Sequence, residues 1–451
     1  MTSIIICVSN AALISMNADG IFRSLRYPNY LTWAIGALVS NIGTWMQRTA
    51  QDWLVLTQLT HHNASAVGMV MALQFGPQLL LLPWTGYAAD HFNQRKLLMV
   101  TQGVMGALAT LLGVLTVSGF VHLWHVYLFA FMFGCVTAFD GPVRQIFVSE
   151  LVGEADLANG IALNSTSFNA ARMIGPAVAG LLISSVGTGW AFVLNGLSFV
   201  AVLLSLKTLS KSSLRTDAKA KPKKGAMSEG FRYVMQRPDL KAILLMLFLI
   251  ATFGLNFPIF ISTMAVSAFH CDARGYGLLS SSMALGTIIG ALLAAQRDRP
   301  RFAHLLFSSI GFGAGCILAA LSQNYWIFGV CLVATGISAL TFTNSSNSLM
   351  QLATEPMLRG RVMSIRLSIA LGCTPLGAPV IGWIADHYGP RWAMVIGGLS
   401  GFLAALVAVV YWRSVVSIER AVLSTAINST ETTEDEFARE ISSDTLTEES
   451  K

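Results

Sequence analysis

Long apolar stretches recur along the chain from residue 31 to residue 412, separated by short polar segments. The hydrocarbon core of a bilayer is about 30 Å thick, and about 20 helical residues cross it. Stretches of that length predict twelve spanning helices, at 31–57, 66–89, 97–119, 123–149, 166–186, 189–208, 241–267, 276–296, 303–321, 325–347, 364–385 and 391–412. The pattern therefore predicts an all-α polytopic protein whose first partner is the lipid bilayer.

The predicted helices are unevenly spaced at one place, between residues 208 and 241, where the chain is polar and rich in lysine. This break predicts five segments: an N-terminal cytoplasmic segment 1–30, a six-helix bundle 31–208, a basic cytoplasmic linker 209–240, a second six-helix bundle 241–412 and a disordered acidic tail 413–451. The apolar stretch 4–14 is too short to span and has no basic start, so no cleaved signal is expected. We hypothesise that translation begins at Met16 rather than Met1.

Basic residues mark one side of the predicted membrane. The loops on that side carry Arg23, Arg26, Arg95, Lys96, the lysines of the linker, Arg297, Arg299, Arg301, Arg359 and Arg361. The loops on the other side hold little beyond Arg274 and Arg391. Because cytoplasmic loops are enriched in Lys and Arg, both termini and the linker are predicted to be cytoplasmic.

The two halves of the chain repeat one another. At a constant offset of 202 positions, Gly180, Gly187, Trp190 and Ala191 recur as Gly382, Gly389, Trp392 and Ala393. Six helices per half give both halves the same orientation, which predicts parallel repeats about an axis along the membrane normal. Such repeats place a substrate site between the halves, near the middle of the membrane.

Composition narrows the function classes. The chain is 54% hydrophobic and 12% charged, about half the charge of a soluble domain. Its net charge of +6 comes from short loops and forms no basic patch interleaved with aromatics, so no nucleic-acid partner is expected. Six cysteines are scattered singly, and no metal-ligand spacing, phosphate-binding loop or nucleophile–base set is present in the sequence. We expect neither an enzyme nor a cofactor.

The first predicted helix has the richest set of polar residues. Asn41, Trp45, Arg48 and Asp52 are spaced as one helical face, and Gln51 lies beside them. Ionisable residues within a span are costly and usually face the interior of a helical bundle. Two interpretations of Arg48 and Asp52 stay open: a proton-coupling site, in which protonated Asp52 releases Arg48, or a fixed structural pair.

The fourth and the later helices supply the other candidates. Asp140 and Arg144, four residues apart, are either gating partners near the cytoplasmic side or a static pair. The second half offers uncharged Asn256, Thr343 and Asn347. Together with Asn41, Trp45 and Gln51, these three residues are the predicted lining of a substrate cavity.

The sequence Gly86-Tyr-Ala-Ala-Asp90-His91-Phe92-Asn93-Gln94-Arg95-Lys96 resembles the signature loop of the major facilitator superfamily, Gly-x-x-x-Asp-Arg-x-Gly-Arg-Arg/Lys. It departs from that pattern at His91, Asn93 and Gln94. The resemblance implies a cytoplasmic gate made by Gly86, Asp90, Arg95, Lys96, Asp140 and Arg144. In that gate Asp90 faces the start of helix 11, and Arg95 or Lys96 reaches Asp140 when the outer side is open.

A second motif lies in helix 5, where Gly175, Pro176 and Gly180 resemble the antiporter motif of drug exporters in the same superfamily, with Ala171 and Ala179 in place of two glycines. Pro379 in helix 11 belongs to a related sequence. Gly and Pro bend membrane helices and permit close packing. Segments such as Asp140-Gly-Pro-Val-Arg144-Gln resemble those of the branch that includes bacterial enterobactin-type siderophore exporters.

The resemblance implies a transporter in the bacterial cytoplasmic membrane with a cavity lined by helices 1, 4, 7 and 10. We expect a monomer that exports a small amphipathic molecule, such as a drug, siderophore or secondary metabolite, in exchange for protons by alternating access. Two alternatives remain: a uniporter or importer of a small solute, and a transport-inactive receptor or assembly factor that uses the acidic tail.

Overall fold

The computed structural model describes residues 22–153, 156–209, 226–295, 301–355 and 357–414. The side chains at positions 82, 83, 86, 89, 90, 226–228 and 295 lie outside that description. The predictions about the translation start, the lysines of the linker, Arg297, Arg299 and the tail fall outside the described residues, as do those about Gly86 and the Asp90 side chain.

The described residues are almost entirely helical. The long helices are α1 (Pro28–Trp53), α2 (Ala64–Leu80, resumed as Leu82–His91), α3 (Gln94–Val117), α4 (Leu123–Val152), α5 (Leu157–Val186), α6 (Thr188–Thr208), α7 (Pro238–Ala268, interrupted), α8 (Ala273–Ala295), α9 (Phe302–Leu321), α10 (Tyr325–Ala353), α11 (Arg359–Tyr388) and α12 (Pro390–Ser414). A shorter helix, Ala226–Gln236, precedes α7.

Ten helices of the described residues, α3 to α12, are long and apolar enough to cross a membrane. The other two predicted spans correspond to α1 and α2. Helix α1 has 26 residues but carries polar side chains such as Gln47 and Gln51. Helix α2 has only 17 residues before the backbone breaks its regular helix at Leu81.

Two helices, α1 and α7, contain π-helical segments. Helix α1 continues as a π-helical segment, Leu54–Leu59. Helix α7 consists of Pro238–Leu249, a π-helical segment Ile250–Gly254, Phe257–Thr263 and a second π-helical segment Met264–Ala268. Its middle break exposes Leu255, Phe257 and Pro258 to an internal cavity. Such π-helical turns are frequent at functional sites.

Among the described residues, the most extensive helix contacts between the chain before the linker and the chain after it are those of α2 along α11 and of α5 along α8. Glycines permit both close approaches. A Cβ atom on Gly180 of α5 would lie 2.6 Å from the carbonyl oxygen of Ala273 in α8. A Cβ atom on Gly68 of α2 would collide with the carbonyl oxygen of Ala378 in α11. Side chains larger than hydrogen at these two positions would force the helices apart.

The repeated glycines have the same structural role. Gly187 follows α5 with φ 92°, and Gly389 follows α11 with φ 94°. Both backbones lie in the region that favours glycine, and both glycines lie in a tight connection to the next helix. The recurrence at an offset of 202 therefore has a shared backbone cause.

Candidate functional site

A partly open cavity of about 400 Å³ lies between helices from both sides of the linker. Residues of α1, α2, α5, α7, α8, α10 and α11 line it. Most of the lining is apolar or aromatic, which suits an amphipathic ligand. Three side chains with ionisable groups line the cavity along with Tyr276: Arg48 and Asp52 of α1, and Arg172 of α5.

Asp52 is 8% exposed, and its carboxylate accepts a hydrogen bond from the hydroxyl of Tyr276 at 3.2 Å. Tyr276 belongs to α8 and stacks on Trp53 with the ring centroids 6.0 Å apart. The hydrogen bond therefore joins the first long helix to a helix that follows the linker.

Arg48 lies against aromatic rings. Its guanidinium carbon is 4.8 Å from the centroid of the Trp45 ring and 5.4 Å from that of Phe75. Its buried Nε atom has no hydrogen-bond partner among the described residues. A cation over an aromatic face is attracted by the ring quadrupole, but the ring does not replace a hydrogen-bond acceptor.

The direct pair expected between Arg48 and Asp52 is absent from the ion pairs of the described residues. The order of the two residues explains this, because side chains of a helix point back towards its N-terminus and the acid-before-base order pairs better at this spacing. Asp140 and Arg144 have the favourable order, and their side chains form an ion pair at 2.9 Å.

Arg172 approaches the same indole from α5, with its guanidinium carbon 5.4 Å from the centroid of the Trp45 ring. Phe168, one turn earlier in α5, contacts that ring edge-on at 5.6 Å. The Nε1 atom of Trp45 is buried and has no hydrogen-bond partner among the described residues. Two cations and an unpaired donor therefore meet around one aromatic ring.

The predicted lining is only partly found. Trp45 and Thr343 line the cavity, whereas Asn41, Gln51, Asn256 and Asn347 do not appear in its described lining. Asn41 instead accepts a hydrogen bond from Arg144 at 2.9 Å. Asn256 is fully buried and donates to the carbonyl oxygen of Thr252 at 2.7 Å. Both amides thus engage groups outside the cavity lining, and the buried Oδ1 atom of Asn256 has no hydrogen-bond partner among the described residues.

Helix α4 also differs from expectation, because it contributes no residue to the described lining. Its Asp140 is buried and accepts hydrogen bonds from Thr101 at 2.8 Å, from Gln102 at 2.6 Å and from Arg144. The carboxylate is thus held inside the first half of the chain, by α3 and by its own helix.

The predicted contact of Arg95 or Lys96 with Asp140 is not formed. Arg95 donates instead to the carbonyl oxygens of Leu206 and Lys207, at 2.8 and 3.1 Å, and so caps the end of α6. Free carbonyls at a helix C-terminus attract cations, which accounts for this placement. The gating roles of Gly86, Asp90, Arg95, Lys96, Asp140 and Arg144 stay predictions.

The predicted helix-bend residues lie at close contacts. Gly175 faces α1, where a Cβ atom would come within 2.6 Å of the Trp45 side chain. Pro176 lines the cavity, and Gly180 faces α8. Pro379 lies beside Gly68 of α2. These positions set how closely the helices around the cavity approach one another.

Sequence reasoning missed three residues. Tyr276 is the partner of Asp52. Arg366 in α11 is 6% exposed and donates to the Thr343 carbonyl oxygen at 2.8 Å. Asp386 near the end of α11 accepts from the backbone N–H groups of Ala64 and Ser65, at 2.6 and 2.8 Å. The position of Asp386 near the C-terminus of its helix could have identified it. The helix dipole is negative at that end and disfavours a carboxylate, which therefore needs a partner elsewhere.

The family of transmembrane secretion effectors matches residues 20–441 of the chain. The staphyloferrin A transporter of Staphylococcus aureus is 25% identical over 371 residues, which cover 81% of this chain and 92% of that protein. The multidrug efflux pump Tap of Mycolicibacterium fortuitum is 26% identical, covering 83% and 93%. The enterobactin exporter EntS of Shigella flexneri is 24% identical, covering 81% and 87%.

The fold is similar to that of a solved transporter, a bacterial homologue of the human lysosomal transporter Spinster in an inward-facing, unoccupied conformation. The two chains have a TM-score of 0.67 at 15% sequence identity, and the matched region covers 86% of this chain and 97% of the other.

Proposed function

Because the chain belongs to the transmembrane secretion effector family of the major facilitator superfamily, we propose that it exports a small amphipathic molecule across the bacterial cytoplasmic membrane. Membership makes it a membrane transporter rather than an enzyme, as the signature loop and the helix-5 motif predicted. The observation that carries the export proposal is the cavity between the helices, which two arginines and an aspartate line within predicted spans, where such groups are costly unless they serve a function.

The membrane topology in this proposal has twelve crossings in two six-helix bundles. It adds α1 and α2 to the ten apolar helices. The packing supports a repeat, because exchanging the halves turns α2 into α8 and α5 into α11. The contact of α2 with α11 then becomes the contact of α8 with α5, and both contacts are present. The basic loops orient the termini towards the cytoplasm.

Alternating access gives the contacts between the bundles a function. At the predicted outer end, Asp386 of α11 caps the N-terminus of α2. At the related contact, Arg274 of α8 donates to the hydroxyl of Ser184 in α5 at 2.7 Å. Ser184 and Asp386 are separated by the repeat offset of 202. In this proposal the two contacts close the outer side and break when the exporter releases its substrate.

Asp52 is the proposed proton-binding residue. An ionised carboxylate only accepts hydrogen bonds, whereas a protonated one also donates. Protonation of Asp52 would therefore change its bond to Tyr276, which joins the two halves. It would also remove a negative charge from the cavity beside Arg48. A proton on Asp52 is thus able to favour the return of the empty transporter.

An efflux assay tests the export proposal. The chain and an empty vector are compared in an efflux-deficient bacterium by the retention of loaded dyes and drugs and by metabolite profiling of the medium. We expect at least one compound to leave faster with the chain, and an uncoupler to abolish the difference. Identical retention and identical media would contradict export.

A further inference from the structure

We propose that Trp45, Arg48 and Arg172 form an anion-binding subsite in the cavity, and that the exported molecule is an amphipathic anion. Its oxyanion group, such as a carboxylate, binds between the arginines, and its apolar body binds the aromatic part of the lining. This inference rests on the proposed function, because it names the chemical class of the molecule that the same cavity carries.

The subsite contains more hydrogen-bond donors than acceptors among the described residues. The Nε atom of Arg48 and the Nε1 atom of Trp45 are both buried donors that find no acceptor among the residues that the structure describes. The guanidinium of Arg172 lies over the Trp45 ring and forms no ion pair among the described residues. Leaving buried donors without acceptors is costly, and a ligand that supplies acceptor oxygens recovers that cost.

The charges of the cavity also favour an anionic ligand. Its described lining holds Arg48 and Arg172 against Asp52 alone, so cations outnumber anions. Asp52 does not satisfy the arginines, because it accepts from Tyr276 and forms no ion pair with either of them among the described residues. Guanidinium groups bind carboxylates through paired, charge-assisted hydrogen bonds.

The rest of the lining fits an apolar body. Phe75 and Phe168 flank the subsite through their contacts with Arg48 and Trp45. Phe257 and Met283 lie across the cavity on α7 and α8. An aromatic or branched alkyl group attached to the oxyanion would bury its surface there.

The anion and the proton bind different groups of the cavity, the arginines and Asp52. In this mechanism coupling comes from the Asp52–Tyr276 contact between the halves rather than from exchange at one site. The inside-negative membrane potential also favours outward movement of an anion.

Binding to the purified full chain in nanodiscs of neutral lipid tests the inference, with three probes that share one body: 2-naphthoate, 2-naphthamide and 2-naphthylmethylammonium. We expect naphthoate to bind about tenfold or more tighter than naphthamide, as a charge-assisted bond predicts, and the ammonium to bind weakest. Arg172→Gln should remove that preference while naphthamide affinity stays within about twofold. Arg172→Lys should restore part of it.

Arg391→Gln is the matched control. Arg391 lies outside the cavity, where it donates to the carbonyl oxygens of Ala320 and Ser322, and its loss should leave the naphthoate preference unchanged. Equal binding of the three probes, preference for the ammonium, or no naphthoate binding at millimolar concentration would overturn the anion subsite.

The two proposals fail separately. Export from cells with a preference for the ammonium in nanodiscs overturns the anion subsite and leaves export standing. Selective naphthoate binding without any compound leaving the cells supports the anion subsite and contradicts export.

Discussion

Two pairs of residues with the same spacing behave differently in this chain, and their order is the cause. Asp140 precedes Arg144 by four residues, and the two form an ion pair at 2.9 Å. Arg48 precedes Asp52 by four residues, and the side chains turn to different partners, an indole for the arginine and a tyrosine hydroxyl for the aspartate. The proposed binding of an anion at Arg48 and of a proton at Asp52 depends on this unpaired arrangement.

Tyr276→Phe tests the contact of Asp52 with the second half. The substitution keeps the ring that stacks on Trp53 and removes only the hydroxyl. We expect a loss of stability of about 0.5–1.5 kcal/mol, and an export rate that responds less to external pH. Thermal unfolding and efflux at several external pH values measure these two effects.

The matched control is Tyr325→Phe, because the Tyr325 hydroxyl donates to the Gly275 carbonyl oxygen at 3.0 Å within the second half. It should lose similar stability and keep the wild-type response to pH. Equal flattening of the pH response in both variants would refute the role of the contact between the halves.

At the scale of elements, the close approach of α2 to α11 and of α5 to α8 depends on glycine, which has no side-chain atoms to collide with the partner helix. Gly68 and Gly180 have no side chain where the partner backbone passes. The N-terminus of α2 then meets Asp386 at the end of α11. A helix N-terminus is an anion site, so this contact stabilises the close approach of the two helix ends.

Gly68→Ala should impair export, because the added methyl collides with the Ala378 carbonyl oxygen when the outer side closes. Overpacking of this kind costs about 1–3 kcal/mol, enough to shift the closed state by about tenfold. Efflux of the identified compound measures the effect. Gly103→Ala in α3 is the control, since a Cβ there has no atom within 4 Å, and it should export like the wild type.

Asp386→Ala should weaken the contact between the end of α11 and the N-terminus of α2. Loss of a helix cap costs about 0.5–2 kcal/mol, and here that cost falls on the closed state. Spin labels at His62 and Tyr388, both exposed near the two helix ends, should show a larger share of long distances in the variant.

Asp272→Ala supplies the comparison for that measurement. Asp272 accepts from the N–H group of Gly275 at the start of its own helix, and within the described part of the chain no hydrogen bond joins it to α2 or α11. Its distance distribution should match that of the wild type. An unchanged distribution in Asp386→Ala would show that the cap does not hold the outer side closed.

At the scale of the whole molecule, length and hydropathy predicted the helices well because each helix is a local property of the sequence. The predicted span 189–208 corresponds to Thr188–Thr208, and the repeated Gly187 and Gly389 mark equivalent turns. The lining of the cavity was harder to predict, because it depends on how each helix rotates about its axis. That rotation turns Asn41 towards Arg144 and away from the cavity.

The partners in contacts that are distant in sequence could not be identified from the local sequence. Tyr276 reaches Asp52 across 224 positions, and Asp386 reaches Ala64 across 322. The packing of α5 along α8 and of α2 along α11 brings residues of the two halves together.

The proposed topology makes a prediction about the two faces of the membrane. A green fluorescent protein fused after residue 209 should fluoresce, because this reporter folds in the cytoplasm. An alkaline phosphatase fused after residue 119, in the turn that follows α3, should be active outside. The opposite pattern would contradict the orientation deduced from the basic loops.

Transport into inside-out membrane vesicles is the most direct test of the central claim that the chain exports through the cavity containing Asp52. The compound whose cellular retention falls most is supplied outside the vesicles, and a pH gradient is imposed with the lumen acidic. The account predicts accumulation with the wild type, and little with Asp52→Asn although the protein is folded and binds the compound. Equal accumulation in both, or none above vesicles without the chain, would contradict it.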